Sequence, residues 1–189
     1  MIGKAEKMKI QTLALDVDDV VLGCVDSWLK IYNKDFEDNV QKEDIKDWLI
    51  HKFLKPEARN RIYEYVDEGD IFANANPIEG AIESIKEIKS WKKYRVIYVT
   101  ANNPHKTKIN WLFEHEVLDD KDDFVACHDK SLIRAYSLLD DKPDNIWNFK
   151  GVGILFDQPW NRTFSLPRVI GWKGYMNLLR SKNETNFLN

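Results

Sequence analysis

Leu13-Ala-Leu-Asp16-Val-Asp18-Asp19-Val-Val21 is an apolar run that breaks into three carboxylates. Residues 10–17 read as a buried strand, and nothing in the folding of a strand asks for acid at its end. A buried, unpaired carboxylate costs several kcal/mol, and a divalent cation is a common partner for a cluster of them. Oxygen ligands at this density suit magnesium rather than zinc. The stretch therefore points to a metal-assisted site at the carboxyl end of a strand.

Working outward, four more strand-like runs follow: Tyr94–Thr100, residues 124–127, Ser137–Asp140 and Val152–Phe156. Helix-like segments alternate with them, which predicts an α/β fold with a doubly wound parallel sheet. Residues 79–90 place Ala81, Ile82, Ile85 and Ile88 at helical spacing. Asn103 reads as an N-cap, with Pro104 at the first helical position of a helix that reaches about His115. Residues 33–72 break the alternation, being polar, aromatic and without a strand. There Trp48, Leu49, Phe53 and Leu54 predict one amphipathic helix. Pro56 opens a second, with Ile62, Tyr65 and Val66 on one face and Gly69 as its stop. The expected organisation is a core of residues 1–32 and 73–189 with a small helical cap, 33–72, inserted after the first strand.

At 189 residues the chain suffices for one well-buried domain with a small insert. A net charge of −3 gives no basic face for a nucleic-acid polymer. No apolar run approaches the roughly 18 residues of a membrane span. The first nine residues carry four charges and no apolar core, unlike a secretion signal. Two cysteines, Cys24 and Cys127, give no disulfide framework, and the expected setting is cytoplasmic.

Asp140 and Asp141 form a second acidic pair at the end of an apolar run. In a parallel sheet both pairs lie at the carboxyl edge, where open α/β sheets bind ligands. Thr100 ends its strand at the same edge, and Lys130 lies just beyond the third strand. Two acidic pairs, a hydroxyl and a lysine on one rim make a phosphate site with a metal. In this order the four elements resemble the motifs of the haloacid dehalogenase-like phosphohydrolases. Within that superfamily the chain is similar to the C-type 5′(3′)-deoxyribonucleotidases. The likeness is carried by Asp16-Val-Asp18, Asn76-Pro-Ile-Glu-Gly-Ala81, His128-Asp-Lys130-Ser-Leu-Ile and Leu138-Leu-Asp140-Asp141. Leu155-Phe-Asp-Gln-Pro-Trp-Asn161 resembles a loop common among bacterial and phage members.

The resemblance implies a magnesium-dependent phosphatase acting on nucleoside monophosphates, in particular deoxyribonucleotides. Asp16 is then the nucleophile that forms an aspartyl-phosphate. Asp18 is the general acid and base, which requires it to be protonated near neutral pH, well above about 3.9. Thr100, the backbone N–H of Ala101 and Lys130 hold the phosphate. Asp16 through its side chain, Asp18 through its carbonyl, and Asp140 and Asp141 make the Mg2+ site, with Asp141 favoured over Asp140 as the direct ligand. Phe72, Trp48 and Asn102 are the candidate substrate contacts.

Blander readings stand beside these. Asp140 and Asp141 also suit the cap of a helix beginning near Pro143. The blander reading of Lys130 is a surface lysine, although Lys106 and Lys108 fit the motif order less well. Thr100 reads as a β-branched strand end. The aromatic residues Trp48, Tyr63, Tyr65 and Phe72 are more often core than ligand platform. Asn102 equally shapes its turn. Cys127-His128 lacks any zinc-ligand spacing. Cys24 stands where many relatives place an aromatic residue for the base. Alternatives of substrate and class are a phosphatase of a sugar phosphate or other small phosphomonoester and a phosphate-binding or regulatory protein without turnover, and a homodimer is left open.

Overall fold

A computed structural model describes residues 10–58, 61–68, 70–101 and 103–185. In chain order the elements are β1 (Gln11–Asp16), α1 (Cys24–Asp35), α2 (Arg61–Glu68), α3 (Asp70–Ala73), α4 (Ala81–Ser90) and β2 (Tyr94–Thr100). Then follow α5 (His105–Glu114), β3 (Phe124–Ala126), β4 (Ser137–Asp140), α6 (Pro143–Asn148), β5 (Val152–Phe156), β6 (Arg168–Val169) and α7 (Gly171–Thr185). Every strand pairing is parallel, in the order β3-β2-β1-β4-β5-β6. The chain winds outward from β1 to β3 and then from β4 to β6. The order therefore reverses between β1 and β4, the place where open α/β sheets leave a crevice at their carboxyl ends.

Alternate side chains of a strand face opposite sides, and the core divides accordingly. Leu13, Leu15, Val96, Tyr98, Leu139 and Ile154 pack under α4, α5 and α7. Ala14, Ile97, Val99, Leu138 and Leu155 face the other way, onto Ile146 of α6 and Phe149. Apolar residues on both faces explain why β1 shows no polar alternation in sequence.

Several predicted elements differ in detail. The expected amphipathic helix over Trp48–Leu54 is only a 3-10 turn, Ile50–Phe53, and Trp48 and Leu49 stay exposed. Pro56 opens another 3-10 turn, Pro56–Ala58, with α2 starting later. Gly69 lies outside the described residues. Pro104, whose ψ of 120° is extended, is itself the N-cap of α5, so the cap falls one residue beyond Asn103. The two-residue β6 and the helix α1 had no clear signature in sequence.

Candidate active site

Three strands deliver their last residues to one rim. Asp16 ends β1, Thr100 ends β2 and Asp140 ends β4, and all three are buried. Asp16, Asp140 and Asp141 each offer a carboxylate oxygen, and these atoms all lie within 4.8 Å of one another. This acidic, oxygen-only group is the place where a divalent cation fits.

Each carboxylate is held differently. The Val17 N–H and the Lys130 ammonium both reach Asp16 Oδ1 at 2.7 Å, which leaves Oδ2 without a bond among the described residues. Asp140 accepts from Lys130 at 2.7 Å, from the Lys142 N–H at 2.8 Å and from Asn145 at both oxygens. Among the described residues Asp141 takes one donor on its carboxylate, Trp160 Nε1 at 2.8 Å on Oδ2, and its Oδ1 has no partner there. Asp140 is thus saturated with N–H donors, while Asp141 keeps an oxygen for a cation.

The electrostatics follow. Burial and the neighbouring Asp140 push the Asp16 carboxyl up to about 8, against the pull of Lys130. Burial, with the neighbouring Asp16 and Asp140, pushes Asp141 well above the carboxylate range. Burial works against the Lys130 charge, but Asp16 and Asp140 outweigh it and raise its pKa. An acid cluster this reluctant to ionise is one that a cation would relieve.

A residue set aside on motif order completes the rim. Lys108 of α5 is fully buried and donates to Asp18 Oδ2 at 2.7 Å and to Thr100 Oγ1 at 3.0 Å. Its ammonium lies 4.3 Å from the centre of the Phe72 ring. The sequence signal was available: Lys108 shares a helical face with Trp111 and Leu112, both buried. A lysine on an apolar face at the carboxyl edge needs a reason. Asp18 Oδ1 is buried with no partner among the described residues.

A cavity of about 290 Å³ opens beside Asp18 and Asp141, lined among others by Trp28, Trp48, Tyr63, Phe72 and Trp160. Trp48 is 45% exposed at its mouth, under the Lys142 ammonium at 5.2 Å, whereas Phe72 is buried. Cys24 lines the same cavity and donates its thiol to Asp19 at 2.8 Å. Asp19 was not singled out from the sequence. It adopts φ 54°, is buried, and is pushed up to about 6 by burial, with Lys42 pulling the other way. Ala101 follows Thr100 on the rim, and Asn102 lies outside the described residues.

The fold matches solved haloacid dehalogenase-like hydrolases. One from Bacillus subtilis, described as bound to magnesium, covers 91% of this chain and 99% of its own, with 11% identity and a TM-score of 0.58. Another, from Xanthomonas campestris, covers 97% and 100%, with 13% identity and a TM-score of 0.55. The architecture is therefore the haloacid dehalogenase-like fold. The sequence model of the family described as 5′ nucleotidase, deoxy (Pyrimidine), cytosolic type C protein matches residues 9–184. The chain belongs to this family and is a phosphomonoester hydrolase. It is 33% identical over 168 residues to a 5′(3′)-deoxyribonucleotidase of Bacillus subtilis, covering 86% of this chain and 95% of the relative. A 5′(3′)-deoxyribonucleotidase of Clostridium acetobutylicum is 31% identical, covering 82% and 87%. Among the described residues no helix is long and apolar enough to cross a membrane.

Proposed function

We propose that this enzyme hydrolyses deoxyribonucleoside monophosphates to nucleoside and phosphate with Mg2+ as cofactor, Asp16 as nucleophile and Asp18 as general acid and base. The observation that carries the reading is the pairing of free oxygens at the switch point. Asp16 Oδ2 and Asp18 Oδ1 have no bond among the described residues, and a buried lysine holds the other oxygen of each carboxylate.

Asp16 Oδ2 attacks phosphorus, the ester bond breaks, and the departing oxygen takes a proton from Asp18. Water then attacks the aspartyl-phosphate, gives its proton to Asp18, and releases phosphate as the Asp16–phosphorus bond breaks. Thr100, the Ala101 N–H and Lys108 hold the phosphate oxygens. Lys130, fixed between Asp16 and Asp140, offsets the charge of the acids and aims Asp16. Mg2+, when bound by the Asp16 and Asp141 side chains and the Asp18 carbonyl, supplies positive charge that lets an anionic nucleophile approach an anionic ester. Asp140, already saturated, orients the site through Lys130 and Asn145.

Residues 33–72 form the cap, and the cavity beneath it takes the nucleoside, with Phe72 and Trp48 as aromatic contacts. Trp48→Ala is expected to raise KM about five- to tenfold through lost stacking, with kcat and melting temperature little changed. Steady-state kinetics on one deoxynucleotide checks this. Equal KM values would remove Trp48 from the substrate site. The reading also expects a cytoplasmic enzyme, in keeping with two free cysteines.

The experiment for the function is phosphate release from ribo- and deoxyribonucleoside monophosphates and sugar phosphates, each with Mg2+ and with chelator. Metal-dependent release favouring deoxynucleotides supports the proposal. Release from sugar phosphates alone would keep the chemistry and reassign the cavity.

A further inference from the structure

The turn after β5, Asp157-Gln-Pro-Trp-Asn161, takes no part in the chemistry above, yet its side chains reach both acidic loops. Gln158 Nε2 donates to the Asp19 carbonyl at 2.6 Å. Asn161 Nδ2 donates to the Asp141 carbonyl at 2.8 Å, and Trp160 Nε1 to Asp141 Oδ2 at 2.8 Å. All three side chains are buried. The turn is fixed in its own right. Asn161 also donates to the Phe156 carbonyl at 2.8 Å, and Arg168 reaches Asp157 at 2.7 Å and the Asn161 carbonyl at 3.1 Å.

The Trp160 ring also lies beneath Lys42 Nζ, 5.5 Å from its centroid. Lys42 belongs to the 33–72 segment and pairs with Asp19 at 3.5 Å and Asp26 at 3.3 Å. One indole therefore touches both a cation of the cap and a carboxylate of the acidic cluster.

We propose that Trp160 is a positioning residue that holds Asp141 for a divalent cation, and that Lys42 seats Trp160 from the cap. The inference rests on the metal-dependent reading above and names the residues that tune it. A lone carboxylate can turn about its last bond and offer either oxygen. An indole N–H only donates, so it fixes Oδ2 and leaves Oδ1 to the metal. Partners one step behind a metal ligand set its orientation and basicity, and losing one costs about ten- to a hundredfold in metal affinity.

Trp160→Phe keeps a ring under Lys42 and removes the N–H. Mn2+ binding without substrate, followed by electron paramagnetic resonance, and displacement of Mn2+ by Mg2+ read the affinity directly. Both dissociation constants are expected to rise about tenfold. The Mg2+ concentration giving half-maximal phosphate release rises with them, and excess Mg2+ recovers a large part of the lost rate. A merely structural role would not recover in this way. Lys42→Met is expected to weaken Mn2+ binding about threefold, and it decides the matter if Trp160→Phe does not fold. Wild-type Mn2+ binding with unchanged binding in the folded variants overturns the inference and leaves the phosphatase reading standing. A wild type that binds neither ion overturns both.

Discussion

Lys108→Met lowers kcat/KM for nucleoside monophosphates by about 10²- to 10³-fold, the cost of removing one preorganised donor from a transferring group. Methionine keeps the length and apolar bulk of the stem, so the helix face that carries Trp111 and Leu112 still packs. What is lost is the ammonium that sits 2.7 Å from Asp18 and 3.0 Å from Thr100. Stripping one partner from a buried ion pair is commonly destabilising. Here the Asp18 side chain is 16% exposed to the cavity, and water can take over part of the lost contact. The expected melting temperature therefore falls by a few degrees, far less than activity requires to explain its loss. Arginine at 108 is not a conservative rescue, because a planar fork does not fit a fully buried point-charge site. Steady-state kinetics beside a thermal melt separates the two effects. Activity within about threefold of wild type would return the phosphate to Lys130 alone.

The two lysines show where sequence reading reached its limit. Asp16, Asp18, Asp140 and Asp141 were legible because acids at the ends of apolar runs have no structural reason to be there. The sheet was legible because β1, β2, β4 and β5 are apolar runs separated by helical periods. Lys130 was found by its place in the motif order. Lys108 was passed over by the same criterion, since its meaning lies in the burial of one face of α5, and a lysine on a helix is ordinarily a solvated one. The turns of residues 42–58 escaped because side chains bonding to local backbone shape them, not an apolar period. The Gln41 N–H donates to Asp44 Oδ2 at 2.8 Å, and the Leu49 N–H donates to Asp47 Oδ1 at 2.8 Å. The role of Trp160 needed three-dimensional contact, because Asp141 lies nineteen residues away.

Asp16→Asn abolishes turnover and at the same time changes how stability depends on pH. An amide cannot form the aspartyl-phosphate, so phosphate release at saturating Mg2+ is expected to fall about 10³-fold or more. The stability effect has the opposite sign. The folded, metal-free protein holds the Asp16 carboxyl at about 8 against an ordinary 3.8, burial being the main cause. A raised folded-state pKa adds stability in full below the ordinary value, and that contribution is lost as pH rises through the folded one. In chelator the wild type should therefore lose melting temperature from about pH 4 to about pH 8. Asparagine does not titrate, so the variant loses this part of the slope and melts higher than wild type at pH 8. Asp141, raised in the same direction, keeps some of the slope in both proteins. Saturating Mg2+ should shrink the difference, because a bound cation compensates the charge that burial penalises. Parallel melts of the two chelated proteins across this range test the electrostatics independently of catalysis. Superimposable slopes would mean that Asp16 is ionised without a metal, and the case for a cation as its partner would then rest on activity alone.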